Sequence, residues 1–180
     1  MLFAVPSLLL IGVLAGCSTE QPVSTSTTGS KTSVQLTPSA TPKEAPGAPQ
    51  PVADGDCPYL STGVVQESNG QLVRKVRLSE DSPNPACFFY ANSTDVQLSV
   101  WVYEGDATVA KAIVDRAAPI DKSSPATAPE GWNGGSLTSD TGAVYAVAKG
   151  ANAVVVTSNQ QQTIKARRIT ETVVTNLGLS

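Results

Sequence analysis

Hydrophobic positions fall into three regimes along the chain. Leu2 to Leu14 is a largely apolar run, broken only by Pro6, Ser7 and Gly12. From Ser18 to Asp56 no hydrophobic period appears, and the isolated Val23, Val34, Leu36 and Val52 cannot build a core. Periodic patterning begins at Cys57 and continues to Ser180, a stretch long enough for one compact domain.

Within that last regime the spacing predicts eight elements. Asp56 is placed to cap a short helix beginning at Cys57-Pro58, with Tyr59, Leu60, Val64 and Val65 as its apolar side and Asn69-Gly70 as its end. Leu72, Val76 and Leu78 share one face of a following strand. Pro83-Asn84-Pro85 turns the chain into an aromatic-rich strand, Ala86 to Ala91. Asp95 to Glu104 alternates most cleanly: Val96, Leu98, Val100 and Val102 against Gln97, Ser99, Trp101 and Tyr103. The Val/Leu face is expected to be buried, and the Trp101/Tyr103 face to lie under a helix or line a groove. Asp106 caps a helix with Val109, Ala110, Ile113, Val114 and Ala117 on one stripe, stopped by Pro119.

Asp121 to Asp140 carries no clear period and is expected to be a long polar loop around Gly131-Trp132-Asn133-Gly134-Gly135. Ala143 to Ala148 and Ala153 to Thr157 are apolar runs joined by a hairpin turn, continuous enough to be buried on both faces. Ser158-x-x-Gln161 has the spacing of a capping box, opening a helix through Leu177 with Ala166, Ile169 and Val173 inward and Gly178 as its stop. The expected architecture is therefore α+β, a mainly antiparallel five-stranded sheet with helices on its faces, in the order α-β-β-β-α-β-β-α.

Composition explains the two aperiodic regimes. The apolar run at the start is too short for a membrane span of about 20 residues but suits an export signal. It ends in Leu14-Ala15-Gly16-Cys17, which resembles the lipobox of bacterial lipoproteins, although Met1-Leu2-Phe3 carries no Lys or Arg. That likeness implies an acylated Cys17 and a chain anchored to the outer face of the cytoplasmic membrane. Between Ser18 and Gly55, 6 Ser, 7 Thr and 6 Pro account for 19 of 38 residues. Such a segment cannot offset its ordering entropy, so residues 18–56 are expected to form a disordered tether with a span of about 35 Å. The expected division is a signal over 1–17, the tether over 18–56 and one globular domain over 57–180.

With Cys17 assigned to lipid, Cys57 and Cys87 remain. Their spacing is neither a redox CxxC nor a zinc pattern, and an exported chain meets an oxidising exterior. A structural disulfide joining the first helix to the second strand is expected, contributing about 3–4 kcal/mol.

Charge and residue usage remove several function classes. There are 12 Lys+Arg against 15 Asp+Glu, and no His. Without His there is no Ser-His-Asp triad, Cys-His dyad or imidazole metal ligand. The charge balance lacks the clustered basic surface of a nucleic-acid binder. Ser136 has neither a Gly-x-Ser-x-Gly elbow nor a Ser-x-x-Lys partner. Asp54-Gly-Asp56 falls short of a calcium loop, and the basic clusters Arg74-Lys75-Arg77 and Lys165-Arg167-Arg168 have the spacing of solvated faces. No enzymatic activity, cofactor or metal is expected, and the chain is expected to be monomeric.

A family likeness rests on Cys57-Pro-Tyr-Leu, Asn69-Gly70, Pro85-Ala-Cys87-Phe-Phe-Tyr90, Ala118-Pro119, Pro129-Glu-Gly-Trp-Asn-Gly-Gly135 and Thr157-Ser-Asn-Gln-Gln-Gln162. Over about residues 57–179 the chain resembles an actinobacterial domain-of-unknown-function family found on exported lipoproteins. The resemblance implies a PsbP-like α-β-α sandwich, and implies no activity and no functional residues.

The candidate recognition surface is Trp132 with Asn133, Gly134 and Gly135, together with Trp101 and Tyr103. Trp is over-represented at binding hot spots, and loops as long as 121–140 in compact domains are usually functional. The competing expectation is that Trp132 folds back as a plug over the core. Two functions follow: an envelope module presenting a surface to a protein or cell-wall partner, or a carrier of a small apolar ligand or lipid. A filled core with an apolar patch favours the first, and a concave apolar pocket of several hundred Å³ favours the second.

Overall fold

A computed structural model describes residues 44–179 of the chain. In chain order these form β1 (Ala53–Asp54), α1 (Thr62–Asn69), β2 (Lys75–Leu78), β3 (Cys87–Tyr90), β4 (Val96–Glu104) and α2 (Ala107–Ala117). There follow β5 (Ser124–Ala126), β6 (Asn133–Ser139), β7 (Gly142–Lys149), β8 (Asn152–Ser158) and α3 (Thr163–Leu177). The eight strands make one sheet, ordered β1-β2-β3-β4-β8-β7-β6-β5, and the paired strands run antiparallel throughout.

The five-stranded sheet and the α-β-β-β-α-β-β-α order are thereby corrected. The three additional strands are β1, β5 and β6, and each escaped the pattern for a physical reason. β1 is two exposed residues at the end of a Pro-rich stretch, held by pairing Ala53 with Leu78 and Asp54 with Arg77. β5 is Ser-Pro-Ala, and a Pro argues against a strand except at an edge, where it lies. β6 is Asn-Gly-Gly-Ser-Leu-Thr-Ser, a composition with low strand propensity. Pairing along β7, from Asn133 opposite Ala148 to Ser139 opposite Gly142, overrides that propensity. Half of the stretch 121–140 is therefore sheet, and its irregular part between β5 and β6 is short.

The sheet is covered on both faces. On β4, Leu98, Val100 and Val102 point to one side and meet Val154 and Val156 of β8 with Val65 of α1 and Ile169 and Val173 of α3. On the opposite side, Trp101 and Tyr103 lie with Ala146 of β7 and Ala153 of β8 beneath Val109, Ala110, Ile113 and Val114 of α2. The alternation of β4 thus feeds two cores, and the Trp101/Tyr103 face lies under a helix.

Helix ends follow local chemistry. Asp106 accepts from the N–H of Thr108 and Val109, capping α2. Gly70 ends α1 with φ +75°, a left-handed conformation that favours glycine. Two expected starts are displaced. Helix α1 begins at Thr62 with Ser61 as its cap, so Asp56 caps nothing and Tyr59 and Leu60 are core residues of the preceding segment. The Ser158-x-x-Gln161 capping box does not form. Ser158 ends β8 and spends its hydroxyl on Asn69 Oδ1 at 2.6 Å, while α3 starts at Thr163 without a side-chain cap.

Cys57 and Cys87 form a disulfide with a Cα–Cα separation of 5.7 Å. It joins the segment before α1 to the first residue of β3, the strand expected over Ala86 to Ala91; only the helix end differs, because α1 starts at Thr62.

Residues 44–56, expected to belong to the tether, are part of the described structure and pack against it. Ala45 joins the α2-side core, Val52 N–H donates to Leu78 O at 2.8 Å, and Gly55 N–H donates to Val76 O at 3.2 Å. The expected domain boundary at 57 therefore moves towards the N-terminus.

Candidate functional site

The expected recognition surface is divided by the sheet. Trp132 is only 1% exposed and packs in the core shared with α1 and α3. Trp101 and Tyr103 lie half-buried on the other face with α2. The three aromatic side chains do not converge, and the Trp132 indole is a plug in the core.

Tyr145 fixes the loop that leads to this plug. Its hydroxyl donates to Ala128 O at 2.9 Å and accepts from Ala128 N–H at 3.2 Å. Burial raises the pKa of this phenol above the ordinary tyrosine range. Trp132 N–H then donates to Pro129 O at 3.0 Å, and the turn drives the indole inward.

The glycines beside Trp132 serve close packing. A Cβ on Gly135 would lie 2.5 Å from Ser123 Oγ and 2.9 Å from the Ala118 Cβ. Its absence lets the end of α2 and the following turn settle directly on β6. Ser123 Oγ completes that turn by donating to Pro119 O at 2.8 Å.

That same packing leaves a cleft on one flank of α2. It has a volume of about 380 Å³ and lies between Ala107, Val114 and Ala118 of the helix side and Asn133, Gly134 and Ala148 of β6 and β7. Small side chains on both walls leave the space, and the lining is mostly apolar. Ion-paired Lys111 and Asp115 stand at its rim, and Ile120, 81% exposed, lies at its mouth. Of the expected set, Asn133 and Gly134 reach this cleft, whereas Trp132, Trp101 and Tyr103 are not part of its lining. The sequence did signal α2 as amphipathic, but that stripe marks the core face. The cleft uses the adjacent flank, whose Ala and Lys positions look like ordinary surface.

A second feature missed by pattern is a buried polar network. Asn69 Nδ2 donates to Gln97 Oε1 and Asn159 Oδ1, each at 3.2 Å, and Gln97 Nε2 donates to Leu72 O at 2.8 Å. Strict alternation put Gln97 on the β4 face opposite Leu98, yet it is fully buried. Together with Ser158, the network ties the end of α1 to the outer ends of β4 and β8. Each named group finds a partner, which suits a structural joint.

Several of the other candidate polar groups are engaged locally. Arg77 Nε lies 3.2 Å from Asp54 Oδ1, Lys75 stands 4.5 Å from the Tyr90 ring centroid, and Arg167 pairs with Glu171 at 2.8 Å. Lys165 Nζ donates to Asn69 O at 3.3 Å. Asn92-Ser93-Thr94 is a turn in which Asn92 Oδ1 accepts from the N–H of Thr94 and Asp95 at 2.9 and 2.8 Å. Tyr59 donates to Pro85 O at 2.8 Å, and its burial pushes the phenol far above its ordinary range. Among the described residues no three or more His, Cys, Asp or Glu side chains gather to hold a metal ion. No helix among them is long and apolar enough to cross a membrane. Cys17 lies outside the described residues.

Fold and cleft together define an α+β domain with a surface cleft. The chain belongs to the family described as Domain of unknown function (DUF2020), whose model matches residues 42–179. A comparison with curated proteins found no match.

Proposed function

We propose that this chain is a cell-envelope lipoprotein, acylated on Cys17, whose domain is a non-catalytic binding module taking a small apolar ligand or lipid in the cleft beside α2. The observation that carries this reading is the cleft itself: concave, mostly apolar and about 380 Å³, at the lower end of the range of small-molecule sites. The lipobox at Leu14-Ala-Gly-Cys17 supports the anchor. The Lys111–Asp115 pair at the rim offers a polar end to a ligand whose body lies against alanine, valine and glycine.

Mass spectrometry of the full chain purified from membranes tests the reading, with Ala107→Trp as the comparison. Ala107 is exposed and lines the cleft, so an indole there fills it while leaving both cores intact. An apolar molecule is expected to accompany the parent and to be lost from the variant. Equal recovery from both, or none from either, would sink the carrier reading. Cys17→Ala is expected to move the protein out of the membrane fraction, and a variant that stays there through a salt wash would place the anchor elsewhere.

A second reading, a surface offered to an envelope protein or cell-wall component, is favoured by exposed Ile120 at the cleft mouth. Co-purification of a partner that is lost on Ile120→Asp, with no small molecule present, would support it.

A further inference from the structure

A proline-rich segment of the chain lies across the α2-side of the sheet, away from the cleft. Residues 44–51 read Glu-Ala-Pro-Gly-Ala-Pro-Gln-Pro, and Pro46-Gly47-Ala48-Pro49 has the P-x-x-P spacing of polyproline ligands. With three residues per turn, such a spacing puts both prolines on the same side of an extended helix. Both line cavities that Trp101 also lines. Pro46 shares a small cavity of about 170 Å³ with Trp101 and Tyr103, and Pro49 shares another of about 250 Å³ with Trp101 and Phe88.

The segment is also held by its backbone. Arg116, on the flank of α2 opposite the cleft, donates through Nη2 to Pro46 O at 2.6 Å and through Nη1 to Ala45 O at 3.5 Å. The guanidinium of Arg116 stands 5.9 Å from the Trp101 ring centroid. An arginine beside an aromatic ring, donating to consecutive carbonyls, recognises an extended backbone. The flanking ring recognises proline. Aromatic-lined grooves bind proline-rich peptides through this division of labour. The contact is not closely packed, since the 250 Å³ cavity remains beneath Ala48 and Pro49. The family match begins at residue 42, so the strap belongs to the domain and not to the stretch before it.

We propose that Trp101, Phe88, Tyr103 and Arg116 form a docking groove for an extended proline-rich peptide, occupied in cis by residues 44–51 and opened when that strap is displaced. The partner it fits is a P-x-x-P segment of a second protein. The cis strap competes as a tethered ligand at an effective concentration of about millimolar, so the groove is closed until a partner exceeds that threshold. This inference does not rest on the ligand proposed for the α2 cleft, which lies on the helix's other flank.

The test uses the full chain with residues 44–50 replaced by Gly and Ser, and a fluorescent peptide of the natural 44–51 sequence read by anisotropy. The peptide is expected to bind this variant at least about tenfold more tightly than the parent, where the cis strap competes. Adding Arg116→Ala or Trp101→Ala to the variant should abolish the gain, and a scrambled peptide should not bind. Equal affinity for parent and variant, or binding indifferent to Arg116 and Trp101, would overturn the proposal. A second measurement covers poor folding of the replaced chain. In the parent, excess natural peptide is expected to speed proteolysis within 44–51, and a rate unchanged by the peptide would equally overturn the proposal.

Discussion

Replacing Trp132 by alanine tests the placement of the most conspicuous residue in the sequence. The indole is 1% exposed and is among the largest fully buried side chains. An aromatic side chain of this kind buries about 150–250 Å². At about 25 cal/mol per Å² that area corresponds to about 4–6 kcal/mol of transfer free energy. The alanine that remains recovers about 1 kcal/mol, close to the value for one buried methyl-sized group. The cavity left behind adds to the loss where the surroundings cannot collapse. Two neighbours restrict collapse: Tyr145 pins Ala128 on one side, and the pairing of Asn133 with Ala148 pins β6 on the other. The net expected cost of Trp132→Ala is about 3–5 kcal/mol. For a domain of this size each kcal/mol moves the midpoint by about 3–6 °C, so the melt should fall by about 9–30 °C. Urea denaturation of parent and variant, followed by far-UV circular dichroism, gives the free energy directly. A loss below about 1 kcal/mol would mean that the indole is a surface group, and the assignment as a core plug would be wrong.

Three further outcomes are expected. Gly135→Ala should destabilise the domain by about 1–3 kcal/mol, because its Cβ would meet Ser123 Oγ and Ala118 at 2.5 and 2.9 Å; an unchanged melt would show that the α2 turn does not rest on β6. Cys57→Ser with Cys87→Ser should cost about 3–4 kcal/mol by restoring freedom to a 30-residue separation, and peptide mapping that finds both thiols free in the exported protein would remove the bridge. The Asp95 carboxyl is held below the ordinary aspartate range by Asn92, then Thr94, so its contribution to stability is present above that range and is lost as pH falls through its depressed folded value. An NMR titration should move Asp95 towards the ordinary range in Asn92→Ala, and an unchanged titration would contradict the turn geometry.

The elements legible from the sequence are those in which one residue pattern has one physical cause. Helix α2 was readable at both ends because Asp106, the Val109/Ile113/Val114 stripe and Pro119 agree. The β7–β8 hairpin was readable because two apolar runs flank a two-residue turn, with Lys149 opposite Asn152. What escaped depends on distant neighbours. β6 is a strand because β7 lies beside it, and its Asn-Gly-Gly-Ser sequence carries no trace of that. Ser158 has the spacing of a cap, yet Asn69, distant in sequence, takes its hydroxyl. Trp132 sits amid Gly and Pro, a setting that allowed both a contact residue and the core plug that it proves to be. Its burial is decided by the core of α1 and α3, which no local window contains. The cleft escaped for the reverse reason, because it is made of what is absent, the missing bulk at Ala107, Ala118, Gly134 and Ala148.

The two ends of the sheet differ from its middle. One is closed by the two residues of β1 and the other by Ser124-Pro125-Ala126, while the central strands β4, β7 and β8 run for seven to nine residues. A strand of two or three residues offers an incoming chain few backbone groups, and Pro125 removes one donor outright. On the lipid-anchored reading this matters more than it would in dilute solution. Molecules confined to a plane meet far more often than the same number dispersed in a volume, and always within a limited range of orientations. Long open edges would then add strand to strand into ribbons. Blunt edges keep neighbours apart, so that a membrane patch can carry many copies, each folded by itself.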